Sequence, residues 1–123
     1  MDYTEKRIEN VVIEGVMLGF EDHNIMTCMV HVKGDMLNQG FGGYALDTYD
    51  KQFKRRVGTA YGMEWLIRLM NTVGAREFKE LKGMYVRIEA DEYHIYQIGH
   101  IVKEQWFNPE EMKHFKEPVM EEK

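Results

Sequence analysis

The hydrophobic pattern at the start of the chain has a period of two residues, which is typical of β-strands. Residues 8–20 carry large apolar side chains on both alternating faces. One face holds Val12, Val16, Leu18 and Phe20, and the other holds Val11, Ile13 and Met17. This pattern predicts a first strand that is covered on both sides, with one face available to a second copy of the chain.

Two further strands are predicted before the period changes. Asp22 and Asn24 mark a turn, because their side chains can bond to their own backbone. Residues 25–33 then alternate cleanly, with one face formed by Met26, Cys28, Val30 and Val32. After a second turn at Gly34, residues 39–47 predict a third, glycine-rich strand. Together the three strands form an antiparallel meander.

The pattern takes on a helical period over residues 60–73. Thr59 is placed to cap the first turn, and Gly74 is placed to end the helix in a left-handed conformation. The apolar face comprises Gly62, Leu66, Leu69, Met70 and Val73. Either Trp65 or Leu66 is expected to pack on the sheet. A short helical turn is predicted over residues 75–83.

The last third of the chain returns to the two-residue period over residues 84–90, and residues 93–102 supply a partner strand. Within that strand Gly99 predicts a bulge or a close approach of another segment. Asn108 and Pro109 start a second helix that runs to about Glu117. The adjacent Trp106-Phe107 pair is expected to fasten this helix to the core.

These elements predict an α+β fold with an antiparallel sheet of about five strands in the order β-β-β-α-β-β-α, one main helix and a short C-terminal helix. The length suits a single domain over residues 1–123, with flexible tails at 1–7 and 118–123. A net charge of −5 argues against a general nucleic-acid or membrane partner, since both need a broad positive field. No apolar signal segment follows Met1, so we expect a cytoplasmic protein.

A basic stretch at residues 54–56 lies just before the main helix. Because the first amides of a helix are unpaired and carry partial positive charge, Arg55, Arg56 and Thr59 predict an anion site. A solvated basic loop explains the same residues equally well. Similarly, the glycines of residues 40–43 either let the backbone approach a ligand or form a bulged strand.

The sequence offers little for catalysis. It contains no serine, and Cys28, the only cysteine, lies on an apolar strand face where a thiol is inert. His94 and His100 would lie about 20 Å apart on one strand, which is too far to share a metal ion. We therefore predict no enzymatic activity, no metal site and no cofactor.

Several short motifs occur together: Glu21-Asp22-His23 followed by Ile25 and Thr27, Gly40-Phe41-Gly42-Gly43-Tyr44-Ala45-Leu46-Asp47, Thr72-Val73-Gly74, Leu81-Lys82-Gly83, and Ile98-Gly99-His100-Ile101 through Trp106-Phe107. This set resembles small proteins of phages and prophages, and among them the Thoeris anti-defence sponge family. The likeness spans roughly residues 8–107. It implies a symmetric oligomer that captures a cyclic ADP-ribose isomer near subunit interfaces, keeps it intact, and so deprives an NADase effector of its signal.

The implied ligand carries a pyrophosphate, two riboses and an adenine. The residues expected to contact it are Arg55, Arg56 and Thr59 for phosphate, Gly42 and Gly43 for backbone approach, Phe41, Tyr44 or Tyr85 for stacking, and Arg87 as a further anion contact. Two alternatives stay open. One is a phage protein that blocks a host defence complex by direct contact, as anti-CRISPR proteins do. The other is an enzyme that degrades a nucleotide signal with His23 or His100 as the base. A homodimer or larger assembly is expected.

Overall fold

A computed structural model describes residues 5–35 and 37–118 of the chain. Most of both predicted tails lies outside these ranges. The first predicted tail is too long by one residue, because Arg7 already belongs to the first strand.

Within these ranges the chain forms eight strands, one α-helix and two short 3-10 helices. The strands are β1 (Arg7–Phe20), β2 (Met26–Lys33), β3 (Asn38–Ala45), β4 (Asp47–Asp50), β5 (Arg55–Gly58), β6 (Tyr85–Ala90), β7 (Ile95–His100) and β8 (Trp106–Phe107). The helix α1 spans Ala60–Val73, and the 3-10 helices span Phe78–Leu81 and Pro109–His114. Six strands form one antiparallel sheet in the order β3-β2-β1-β6-β7-β8, and β4 and β5 form a separate hairpin. The predicted α+β class is confirmed, with more strands than expected.

The core lies between α1 and one face of the six-stranded sheet. From the helix, Trp65 and Leu69 are fully buried, while Leu66 is only partly buried. The Trp65 ring stacks on Phe41 of β3, with centroids 5.8 Å apart, and meets the edge of Phe107 of β8 at 5.3 Å. One tryptophan therefore joins the helix to two strands that lie at opposite ends of the sheet order.

Both predicted caps of α1 are present. The Thr59 hydroxyl accepts a hydrogen bond from the Gly62 amide at 2.9 Å and donates one to the Leu46 carbonyl at 2.9 Å. At the other end Gly74 is left-handed, with φ of 88°. The first turn of the helix is thus held against the Leu46 backbone, which explains why the buried position 62 is a glycine.

The prediction that the first strand is covered on both sides is wrong. Val11 and Ile13 are buried, but Met17, Leu18 and Phe20 are 40%, 39% and 68% exposed. All three residues lie beyond the register shift that follows Ile13, in the part of β1 that no longer pairs with β6. There β1 is paired on one side only, by β2, and its side chains are more exposed.

Two predicted boundaries also change. The third strand divides at Leu46, so that residues 47–58 form the β4–β5 hairpin instead of a loop. The C-terminal helix is a 3-10 helix that ends at His114, although Asn108 caps its start as expected by accepting from the Glu110 amide. Gly99 does permit a close approach, because a Cβ there would lie 2.6 Å from the Trp106 ring.

Gly62→Ala tests the contact between α1 and Leu46. An alanine normally stabilises a helix interior by about 1 kcal/mol relative to glycine. Here the new Cβ would lie 2.1 Å from the Leu46 carbonyl oxygen, so we expect destabilisation by about 1 to 3 kcal/mol. Urea denaturation measures the effect. Gly58→Ala is the matched control because its Cβ would meet no atom within 4 Å, and an equal loss in both variants would contradict this account.

Candidate ligand site

The β4–β5 hairpin fixes one of the two predicted phosphate-binding arginines. The Arg56 guanidinium donates to both carboxylate oxygens of Asp47, at 3.0 and 2.8 Å, and to the Asp47 carbonyl at 3.2 Å. Asp47 is buried. The guanidinium holds the pKa of this carboxyl below its ordinary range. Arg56 therefore neutralises a buried acid within the fold.

Arg55 points the other way and is exposed. Its guanidinium lies over the exposed Phe53 ring, 5.7 Å from the centroid, and donates to the Arg56 carbonyl at 3.1 Å. Among the described residues it forms no ion pair within 4.0 Å. Tyr49 of β4 is exposed as well. The hairpin thus presents a cation and two aromatic rings to solvent.

The amino end of α1 does hold an anion, but the anion belongs to the chain. Glu117 accepts hydrogen bonds from the Ala60 amide at 2.7 Å and the Tyr61 amide at 2.8 Å. Thr59, predicted as a phosphate contact, caps the next amide. The first-turn donors that were expected to bind a ligand are satisfied by these two side chains.

The glycine-rich segment is a bulged strand, which is the alternative that the sequence left open. Gly42 and Gly43 have φ of 119° and 85°, and the pairing of β3 with β2 shifts register beside them. A Cβ on Gly42 would lie 2.3 Å from the Cys28 carbonyl oxygen. The close approach at Gly42 is therefore to the neighbouring strand.

The rings of this segment also face inward. Phe41 is buried between Trp65 and Phe107, with centroids 5.8 and 6.1 Å away. Tyr44 is half-buried, 5.9 Å from the Trp65 ring, and burial raises its pKa. Both rings are engaged in the core and neither is presented as a stacking surface.

Tyr85 and Arg87 lie on the opposite, open face of the sheet, since the residues that alternate with them on β6 are buried. The Tyr85 ring is 65% exposed. Arg87 is tied into the β7–β8 connection: it donates to the carbonyls of His100 and Lys103, both at 2.8 Å, and pairs with Glu104 at 2.9 Å. Arg87 therefore organises the surface beside Tyr85.

A cavity of about 590 Å³ opens on this face next to Tyr85. Its lining combines apolar strand residues with an amide, an ammonium group and a carboxylate: Asn10, Val11, Val12, Lys33, Gly34, Asp35, Tyr85 and Ile101. The strand pairing explains why these residues lie together. Val12 of β1 pairs with Lys33 on one side and with Tyr85 on the other, and residues directly opposite in a sheet share a face.

The structure thus separates the predicted contact residues into three regions: β3, the hairpin with the start of α1, and β6. Only Tyr85 lines the cavity. Sequence reasoning missed Asn10, Lys33 and Asp35. For Asn10 and Lys33 the only signal was the strand alternation, and Asp35 lies in the turn after β2. They become neighbours of Tyr85 through the order β2-β1-β6, in which β6 comes from late in the chain.

Among the described residues, the cysteine and two of the histidines are engaged within the fold. Burial raises the pKa of the Cys28 thiol to about 11, which keeps it neutral. His31 bonds to Asn38, and Nδ1 of His100 accepts from the Val102 and Lys103 amides. Across residues 5–35 and 37–118 there is no cluster of three or more His, Cys, Asp or Glu side chains placed to hold a metal ion.

Comparison of the chain with protein-family models, with curated proteins and with solved structures finds no match in any of the three. Within the described part of the chain, no helix is both long enough and apolar enough to cross a bilayer.

Asp47→Asn tests the buried ion pair through pH. Because the folded pKa of Asp47 is lowered, its charged form stabilises the fold above the unfolded pKa of about 3.9, and this contribution is lost as the pH falls through the folded value. Arg56 is partly solvated, so we expect Asp47→Asn to cost about 1 to 2 kcal/mol at pH 7. The difference in unfolding free energy between Asp47→Asn and wild type should narrow as the pH falls below about 4.

Thermal unfolding between pH 2 and pH 7 measures this gap. Asp22→Asn, which changes an exposed turn residue, is the control and should track wild type. A gap that stays constant with pH would contradict the assignment.

Proposed function

We propose that this protein binds a small anionic nucleotide of the cyclic ADP-ribose class and sequesters it intact, acting as a phage-type anti-defence protein in the cytoplasm of a bacterial host. The observation that carries the proposal is the cavity on the open sheet face, where an exposed tyrosine ring, a lysine and an asparagine meet. The resemblance of the sequence motifs to the Thoeris anti-defence sponges favours this ligand class.

The chemistry of the lining matches the parts of such a ligand. Tyr85 offers a flat ring for a base, Lys33 offers a positive charge for phosphate, and Asn10 with Asp35 offers polar groups for ribose hydroxyls. A volume of about 590 Å³ lies within the range of about 300 to 1,000 Å³ found for small-ligand pockets. The Lys33 ammonium lies 3.8 Å from the Glu14 carboxylate. Because this ion pair is long, a phosphate could compete with Glu14 for Lys33.

Sequestration is proposed over turnover because the cavity lacks the usual groups for nucleotide hydrolysis. Its described lining contains no histidine, cysteine or serine. General acid–base catalysis by a histidine needs the ring within hydrogen-bond reach of the reacting atoms, and His31 instead bonds to Asn38. Binding alone requires only the complementary surface described above.

A release assay tests the proposed function. Purified protein is mixed with a cyclic ADP-ribose isomer produced by a TIR-domain protein, the free nucleotide is measured, and the sample is heated and measured again. The expected result is loss of free nucleotide followed by recovery of the intact compound. Loss without recovery would indicate an enzyme, and no loss would favour a protein target.

Tyr85→Ala and Lys33→Ala test the location of the site. Loss of a base–aromatic stack costs about 1 to 3 kcal/mol, so Tyr85→Ala should weaken binding about 5- to 150-fold by calorimetry. Lys33→Ala should weaken binding and reduce its salt dependence. The controls are Tyr93→Ala and Lys51→Ala, which remove an exposed ring and an exposed charge away from the cavity.

Two results would place the anion site outside the cavity. If Arg55→Ala with Lys51→Ala lowers the affinity while Lys33→Ala does not, the anion binds at the hairpin. If Glu117→Ala raises the affinity, the anion binds at the amino end of α1, where Glu117 now takes the amides of Ala60 and Tyr61.

A further inference from the structure

The second half of β1 has an unpaired backbone edge. Strand β6 pairs with β1 only from Arg7 to Val12, and the last bonds on that side join Ile13 to Met84, at 2.9 Å, and to Gly83, at 2.7 Å. Beyond this point β1 continues to Phe20 with β2 on its other side. In the described ranges no strand pairs with the opposite edge of residues 14–20.

The alternation of the ladder shows which groups face this edge. At the turn, the Glu21 amide donates to the Ile25 carbonyl at 3.0 Å, so the backbone of Glu21 points toward β2. In an antiparallel pair, successive residues direct their N–H and C=O groups to alternate sides. Val16, Leu18 and Phe20 therefore direct theirs outward, away from β2.

The other two edges of the sheet are protected in ways that this one is not. The outer edge of β3 is interrupted by the left-handed Gly42 and Gly43, and β8 has only two residues. Bulges and short strands are usual devices against edge-to-edge pairing, as are lysine and proline. Residues 15–20 read G-V-M-L-G-F and contain no charge and no proline.

We propose that this edge, residues 14–20 of β1, pairs antiparallel with the same edge of a second copy of the chain. The segment is nearly palindromic about Met17: a two-fold axis there sets Val16 opposite Leu18 and Gly15 opposite Gly19. Val16 and Leu18 are the residues whose backbone groups face outward, so each Val16–Leu18 pair exchanges hydrogen bonds in both directions. The two six-stranded sheets join into one.

Charge and space favour a second copy over an unrelated strand. Each chain has a net charge of −5, yet this pairing places no charged residue opposite a like charge, because Glu14 lies across from Phe20 and is paired with Lys33 of its own chain at 3.8 Å. Gly15 and Gly19 have open space where a Cβ would lie. The bulge beside Glu14 ends the ladder, which limits the contact to this self-complementary segment.

Solution mass and directed cross-linking test the pairing in the full chain. Wild type should sediment as a dimer at tens of micromolar, and Leu18→Lys should sediment as a monomer of 14.6 kDa with an unchanged circular-dichroism spectrum. Ile67→Lys is the matched control because it changes an apolar residue of α1 that is 45% exposed, close to the 39% of Leu18. It should remain a dimer.

Cross-linking tests the register. An axis at Met17 brings its two Cα atoms to about 4.5 Å, within the range for a disulfide, so Met17→Cys should give a covalent dimer on mild oxidation. Phe20→Cys should not, since its two copies would lie about 20 Å apart. Wild type controls for the buried Cys28.

Three outcomes would overturn the proposal: a monomeric wild type, a folded Leu18→Lys that remains a dimer, or cross-linking through Phe20→Cys that is as efficient as through Met17→Cys. None of these measurements involves a nucleotide, so failure here is separate from failure of the proposed function.

Discussion

The packing of Trp65 of α1 against the sheet is the contact around which the core is arranged. Trp65 and Leu69 fasten α1 to the sheet, and Trp65 is fully buried among rings from both ends of the strand order. The helix covers one face of the sheet. The other face, which carries Tyr85, and the edge of β1 beyond Ile13, where β6 no longer pairs, remain accessible.

The open sheet face and the free edge of β1 differ in chemistry, and the difference favours a different partner for each. The open face near Val12 combines an aromatic ring with polar and charged side chains around a cavity, which suits a small polar ligand. The outer half of β1 offers backbone donors and acceptors flanked by apolar side chains, which suits a strand. Both surfaces include residues of β1, and the ion pair between Lys33 of the cavity and Glu14 of the edge joins them.

Acidic side chains of the chain itself bind part of the basic region that precedes α1. Asp47 accepts hydrogen bonds from Arg56, and Glu117 accepts hydrogen bonds from the first amides of α1. Glu117 is distant in sequence from the amides that it binds. Asp47 and Arg56 lie on the two strands of the hairpin, separated by its turn. The sequence identifies these hydrogen-bond donors correctly. Carboxylates of the same chain accept from Arg56 and from the first amides of α1.

The sequence by itself determined the features that depend on neighbouring residues: the α+β class, the bounds of α1, its Thr59 and Gly74 caps, and the alternation of β2 and β6. These follow from local periodicity and capping, which short-range contacts enforce. Tertiary structure alone decided that β1 lies between β2 and β6, which brings Lys33 and Tyr85 to one cavity. It also decided that Phe41 is a core ring and that β1 extends beyond the part that pairs with β6. Strand order and relative length are long-range properties, and no local pattern records them.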